Sequence, residues 1–269
     1  MYDFDKTLSP RDMEEYSLIP NLGYANAMDF WNEVTEISHR NNMDAISAYL
    51  YLLQKKYEDN GTPLTREMFH PLGKNVELFP GVDTWFKRIN EYARRAGFLA
   101  EHYIISSGMS EILEAVPIAK EFERIYACRY YYDEHDEAKW PARIVNYTTK
   151  TQYVFRINKG ALDECDDAKV NEFVPDEDRP VPFERMIYCA DGFTDVPCMK
   201  LVRAYGGKSI AVYNKSKDVA NKLIQDGRAD FMAEADYTEG SEMEQLVKMI
   251  IDHMKCDEAL KQKGASYHE

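Results

Sequence analysis

The sequence predicts an α/β protein whose parallel sheet is covered by helices on both faces. Short apolar runs of buried type recur along it, among them Tyr103-Ile104-Ile105, Met186-Ile187-Tyr188-Cys189-Ala190 and Ser209-Ile210-Ala211-Val212-Tyr213. Each is followed by a stretch whose apolar residues return at three and four positions, the helical period. The 269 residues, 45% of them hydrophobic, suffice for one large core or one domain carrying an insertion.

The chain opens on Tyr2-Asp3-Phe4-Asp5-Lys6-Thr7-Leu8, two carboxylates one residue apart and then a threonine, where an apolar stretch passes into a loop. Alternation along an extended segment sends Asp3 and Asp5 to the same side. From Arg11 to Leu78 the pattern is helical, as in Met28 to Val34 and Ile46 to Leu53. Asn60-Gly61 and Pro63 interrupt it, and a short helix restarts at Thr65. Phe79-Pro80-Gly81 marks a boundary, after which Val82, Trp85, Phe86, Ile89 and Tyr92 line one helical face closed by Gly97. The run ending in Ser106-Ser107-Gly108 is a strand, and Ser110 is placed to cap the next helix.

From Ile125 to Ile157 the composition favours strands, at Arg129 to Tyr132, Ala142 to Tyr147 and Gln152 to Ile157, with Asp133 to Glu137 as a solvated turn. Lys159-Gly160 is then expected to open a helix through Leu162 and Val170. The strand ending at Ala190 runs into Asp191-Gly192-Phe193-Thr194-Asp195, and β/α alternation continues to Met254, followed by a polar tail.

Thirty-three basic against 47 acidic residues leave a net charge of −14. That balance argues against nucleic acid or anionic membrane as a main partner, since both reward clustered Lys and Arg. Cys128, Cys165, Cys189, Cys198 and Cys256 are scattered without a C-x-x-C pair, which predicts reduced thiols. No signal peptide or membrane span is visible, so a cytoplasmic protein is expected.

Loops at the ends of predicted strands carry Asp3 and Asp5, Ser106 and Ser107, and Asp191 and Asp195, while Lys159 precedes a predicted helix. In a parallel sheet the carboxyl ends of the strands lie together, so these groups are expected to converge. The acids would offer Mg²⁺ an oxygen-rich site. Hydroxyls, amides and a lysine would face the free oxygens of a phosphoryl group, whose transfer needs mainly positioning and charge stabilisation.

In order and composition, D-F-D-K-T, I-I-S-S, lysine and A-D-G-F-T-D resemble the four motifs of the haloacid dehalogenase (HAD) superfamily, and within it the phosphoserine-phosphatase-like hydrolases. The resemblance implies a Rossmann-like core at 1–10 and 79–269. It also implies a helical cap at 11–78 between the first and second motifs, and the β-rich stretch read above then forms a small excursion between the second and third. It implies that Asp3 is the nucleophile and that Asp5 is the general acid and base. Ser106, with Ser107 and Thr7, would hold the phosphoryl oxygens, and Asp191 and Asp195 would bind Mg²⁺ together with Asp3 and Asp5. For the lysine, Lys159 is preferred over Lys150 because it stands at a predicted helix start, where anions are favoured.

Arg11, Glu14, Glu15 and Tyr16 lie near the hinge of the expected cap. Family members carry a full apolar strand before the first aspartate. Only Met1 and Tyr2 stand for it here, so the first strand is expected to be truncated, as from a start placed downstream of the natural one, and Asp3 to be weakly anchored. The implied function is a Mg²⁺-dependent phosphatase acting on a small phosphomonoester through an aspartyl phosphate. The alternatives are a phosphotransferase to an acceptor other than water, or a binding protein that keeps the pocket without turnover.

Overall fold

The computed structural model describes residues 1–267. In chain order its elements are α1 (Leu18–Asn21), α2 (Ala27–Asn41), α3 (Ala45–Asp59), α4 (Arg66–Gly73), α5 (Val82–Ala96), β1 (Tyr103–Met109), α6 (Ser110–Leu113), β2 (Arg124–Tyr132) and β3 (Ala138–Arg143). There follow α7 (Lys150–Lys159), α8 (Asp167–Asn171), β4 (Ile187–Ala190), α9 (Val196–Ala204), β5 (Lys208–Tyr213), α10 (Asp218–Gln225), β6 (Phe231–Glu234) and α11 (Glu242–Ala265). Among the described residues no helix is long and apolar enough to cross a membrane.

β1 pairs in parallel with β2, and β4 with β5 and β5 with β6 likewise. Tyr2 closes the gap between the two halves, bridging Ile104 on one side and Cys189 on the other, both in parallel. The sheet order is therefore β2, β1, Tyr2, β4, β5, β6. The second half of β2 runs on beyond the sheet and pairs with β3 as an antiparallel hairpin.

The expectation that Asp3 is weakly anchored is corrected here. Tyr2 N–H donates to Tyr103 O (2.9 Å), Ile105 N–H to Tyr2 O (2.9 Å), Cys189 N–H to Met1 O (3.0 Å) and Asp3 N–H to Cys189 O (3.0 Å). The Tyr2 ring is locked as well: Trp85 Nε1 donates to its hydroxyl at 2.9 Å, and that hydroxyl lies 3.3 Å from His102 Nδ1. Two residues of strand, bonded on both edges and buried beneath α5, hold the nucleophile candidate in mid-sheet.

Caps explain where the helices begin. Asn26 accepts from Asp29 N–H at the start of α2, Asp44 from Ile46 and Ser47 N–H at the start of α3, and Ser241 from Glu244 N–H at the start of α11. Gly81, with φ at 79°, precedes α5 and lies so close to the Tyr237 carbonyl that a Cβ would come within 2.5 Å of it. That contact and the left-handed backbone both demand glycine.

The strand expected at Gln152 to Ile157 is instead the body of α7. Aromatic and β-branched residues pull that stretch towards a strand. Yet Lys150, Tyr153, Val154 and Ile157 fall on one face of a helix, and that face is buried. In consequence Lys159 ends a helix rather than opening one, and Gly160 takes the left-handed C-terminal position (φ 64°).

Candidate active site

Asp3 leaves the sheet at the carboxyl end of the short central strand. Behind it Phe4 is fully buried, and its carbonyl gathers the N–H groups of Thr7 (3.2 Å), Leu8 (2.8 Å) and Ser9 (3.2 Å). Closing that turn puts Lys6 in the left-handed region, with φ at 56°. The turn also swings Asp5 round so that its Oδ1 accepts from Met13 N–H at 2.7 Å. Lys6 itself reaches away to Asp12, at 2.8 Å.

Lys150, the first residue of α7, points its ammonium into the sheet end. Nζ lies 3.1 Å from Asp3 Oδ1 and 2.8 Å from Asp195 Oδ1, and the side chain is only 1% exposed. Asp195 is further fixed by Tyr188 Oη, which donates to Oδ1 at 2.7 Å, and by Thr194 Oγ1, which donates to Oδ2 at 2.8 Å. Asp191, half-buried on the loop after β4, completes a group: one carboxylate oxygen from each of Asp3, Asp191 and Asp195 lies within 4.8 Å of the others.

Three carboxylates so close raise one another's proton affinity. Burial, then the Asp195 charge, pushes Asp3 well above the usual carboxylate range, with Lys150 opposing. Asp191 is pushed up to about 6 by burial and then by Asp195. Burial acts to lower the Lys150 ammonium, but the Asp195 and Asp3 charges outweigh it and hold the lysine protonated. The same trio tests what the site fits. Hard oxygen donors converging in this way suit Mg²⁺.

Asp5 is set apart from the trio. Its carboxyl is raised by burial and then by the like charges of Glu14, Asp12 and Asp3, with the Met13 N–H opposing. Of the expected metal ligands, then, the Asp5 carboxylate is not brought into the cluster. It sits against the C-terminal end of β1 instead: a Cβ on Gly108 would come 3.2 Å from Asp5 Oδ2. Ser106, fully buried in the same strand end, accepts from Gly108 N–H at 3.0 Å, which leaves its own hydroxyl hydrogen to donate. Ser107 uses its carbonyl to accept from the Cys128 thiol, at 3.3 Å. Thr7 Oγ1 is buried and has no hydrogen-bond partner among the described residues.

Lys159 is not at the site. Its ammonium donates to the carbonyls of Val170 and Glu172, each at 2.8 Å, and Lys150 takes the place expected for it. Lys150, not Lys159, is the lysine at a helix start. Sequence reasoning also missed Tyr188 as the partner of Asp195. The available signal was a residue with a polar tip in the middle of a buried strand, which needs a partner inside.

Of the residues expected near the hinge, Glu14 is buried, accepts from Tyr49 Oη at 3.0 Å and is pushed up to about 7 by burial and then by Asp12. Tyr16 Oη lies 3.0 Å from Ser9 Oγ, and the Arg11 guanidinium stacks 4.1 Å from the Tyr16 ring centroid. Met13 closes over the site from the same segment, its side chain filling the space beside Gly108.

No protein-family model matches the chain. An uncharacterised protein of Borreliella burgdorferi is 26% identical over 273 residues, covering 90% of this chain and 92% of that protein. Among solved structures, a HAD-family hydrolase from Salmonella enterica serovar Typhi superposes with a TM-score of 0.58 at 16% identity, over 93% of this chain and 69% of that one. A phosphoserine phosphatase in a phospho-aspartyl intermediate analogue form gives a TM-score of 0.51 at 16% identity, over 92% of this chain and 96% of that one. A substrate-bound phosphoserine phosphatase gives 0.52 at 15% identity, over 92% and 95%. In fold the chain is similar to these structures, an α/β core of parallel strands with helices around it.

Proposed function

We propose that the chain is a phosphatase that hydrolyses a small phosphomonoester through an aspartyl phosphate on Asp3. The observation that carries this reading is the Lys150 ammonium lodged between Asp3 and Asp195, beside Asp191. Asp3, Asp191 and Asp195 are the residues to hold Mg²⁺, which when bound would offset the charge of the phosphoryl oxygens and of the carboxylates facing them.

The chain's own groups supply the remaining steps. An Asp3 oxygen attacks phosphorus as the bond to the leaving oxygen breaks, and the Asp5 proton passes to that oxygen. Asp5, now a carboxylate, takes a proton from water as the water attacks phosphorus and the Asp3–phosphorus bond breaks. Its raised proton affinity suits the first of these roles. Lys150 keeps Asp3 oriented and balances charge on the transferring group, while the Ser106 hydroxyl and the unpartnered Thr7 hydroxyl face its oxygens.

The helices between residues 11 and 78 are read as a lid that admits a small leaving group and excludes bulk water. Supporting this, Met13 N–H binds the Asp5 carboxylate, and Met13 packs where Gly108 leaves room. The lid is tied to the β2–β3 hairpin: Tyr130 Oη donates to Leu50 O at 2.5 Å, and Ala138 N–H to Leu64 O at 2.8 Å. On this reading lid and hairpin move together.

The test is hydrolysis of a panel of small phosphomonoesters with Mg²⁺, with a chelator, and with Asp3→Asn. Turnover that needs Mg²⁺ and falls by roughly a thousandfold or more in Asp3→Asn is expected. Turnover that survives the substitution would refute the nucleophile. Silence of the folded protein on a broad panel would favour a binding role.

A further inference from the structure

The two stretches of chain that join the core to residues 11–78 meet at one buried side chain, Tyr237. On the way out, Asp3 N–H makes the last ladder bond of the central position, to Cys189 O. Asp5 lies beyond it, on the turn at residues 4–9. Among the described residues two hydrogen bonds reach the backbone of that turn from outside it. Phe79 N–H donates to Leu8 O at 2.9 Å, and Tyr237 Oη donates to Thr7 O at 2.8 Å. Phe79 belongs to the return from residues 11–78, so the tyrosine is the hold that the core itself supplies.

Tyr237 is itself held on every side. It follows β6, and its side chain is fully buried. Its ring packs edge-on against Trp85, with centroids 5.1 Å apart and planes at 84°. Its N–H donates to Pro80 O at 2.9 Å. Its carbonyl accepts from Arg88 of α5, whose Nε also donates to Glu244 of α11 at 2.7 Å. A buried tyrosine hydroxyl needs an acceptor, and many carbonyls could serve. The one it meets is two residues from Asp5 and belongs to Thr7, whose own buried hydroxyl has no partner among the described residues.

We propose that Tyr237 is a positioning residue for hydrolysis: by holding Thr7 O it fixes the turn from which Asp5 reaches the leaving oxygen. The inference rests on the reading of Asp5 as general acid. Tyr237 touches neither substrate nor the reacting atoms and acts through the Thr7 peptide. Met13 N–H binds the Asp5 carboxylate, but the turn sets where the Asp5 backbone stands. A displacement of about 1 Å in a catalytic group costs on the order of a hundredfold in rate. The loss should fall on the step that uses the Asp5 proton, departure of a poor leaving group.

The experiment is Tyr237→Phe in the full chain, which deletes the hydroxyl and keeps the ring against Trp85. Tyr126→Phe is the control: Tyr126 Oη donates to Leu162 O at 3.1 Å, beyond the end of α7 remote from Lys150. Two substrates are compared with Mg²⁺. The leaving oxygen of 4-nitrophenyl phosphate departs without a proton, whereas that of an alkyl ester of the panel, β-glycerophosphate first, needs one. The readout is kcat/KM, which covers the steps up to that departure. Tyr237→Phe is expected to lose about tenfold or more on the alkyl ester and less than about threefold on the aryl one. Tyr126→Phe should lower Tm comparably and leave the ratio of the two rates unchanged. Hydrogen exchange at the Leu8 and Ser9 amides should quicken about tenfold in Tyr237→Phe alone. Equal losses on the two esters, or unchanged exchange at both amides, would overturn the proposal. A folded wild type silent on the whole panel defeats the phosphatase reading instead, and exchange then decides alone: faster supports the hold on the turn, unchanged overturns it.

Discussion

Lys150 Nζ and Asp3 Oδ1 lie 3.1 Å apart although 147 residues separate them in the chain. The contact is made at the start of α7, whose first N–H groups are held by the carbonyls of Asn146, Thr148 and Thr149 while the Lys150 side chain reaches the site. Asp195 completes the arrangement from the third side, and the lysine is the cation that lets two buried carboxylates coexist.

Exchanging lysines separates the two candidates. Lys150→Ala is expected to lower kcat by roughly a hundredfold or more. Breaking the buried pair should also cost about 3–5 kcal/mol of stability. Lys150→Arg keeps the charge and is expected to recover the stability better than the turnover, because a planar fork does not replace a point charge. Lys159→Ala removes two bonds to surface carbonyls and should leave kcat within about twofold. Kinetics and thermal melts on the three variants decide it, and a silent Lys150→Ala would remove the lysine from the mechanism.

Crowding the C-terminal end of β1 should act on chemistry more than on folding. An alanine at Gly108 would place its methyl 2.2 Å from Met13 Cε and 3.2 Å from Asp5 Oδ2. The methionine end is flexible and can yield, whereas the carboxyl cannot move without leaving its place. Gly108→Ala is expected to fold and to lose about tenfold or more in kcat. A melt beside steady-state rates checks both halves.

Tyr188 positions Asp195 rather than touching substrate. Tyr188→Phe deletes the 2.7 Å bond to Oδ1 and leaves the rest of the ring in place. A loss of about 1–3 kcal/mol in stability is expected from a buried acceptor short of a donor. The Mg²⁺ concentration needed for half-maximal activity should also rise, with kcat at saturating Mg²⁺ changing little. A titration in which only stability moves would show that the tyrosine is purely structural.

His102 makes stability depend on pH in a defined direction. Burial, and then the nearby terminal amine, lowers its pKa from 6.5 to about 3, and Nε2 lies 2.9 Å from Asn90 Oδ1. The unfolded chain takes up a proton as pH falls through 6.5, whereas the folded one stays neutral down to about 3. Its contribution is therefore complete above the unfolded pKa and is lost towards acid, at about 1.4 kcal/mol per pH unit. Denaturant melts of wild type and His102→Gln between those two pH values should converge, or cross, with that slope. Parallel curves would show that the histidine does not titrate as described.

The β/α alternation and the loops bearing Asp3, Asp5, Ser106, Asp191 and Asp195 were legible from the chain, because a buried parallel strand and its turn leave a compact signature. The choice of Lys150 over Lys159 was not, because residues 150–157 satisfy two periods at once. Thr151, Tyr153, Val154, Phe155 and Ile157 have strand propensity, while the spacing of Lys150, Tyr153, Val154 and Ile157 suits a helix face. Only packing decides between them. The anchoring of Tyr2 was equally invisible, since one residue carries no periodicity and its ladder partners lie 102 and 187 positions away.

That last separation also sets a timetable. Tyr2 is made 187 residues before Cys189, and it cannot settle between β1 and β4 until Cys189 has emerged from the ribosome. At roughly 5–20 residues per second, the wait is on the order of 10–40 s. Until then the central position of the sheet stays open on its β4 side, and β1, paired with β2 on its outer edge, has an incomplete inner neighbour. The protein's most vulnerable moment should therefore fall late in translation, when a chaperone or a rare-codon pause between β2 and β4 would have the greatest influence on yield.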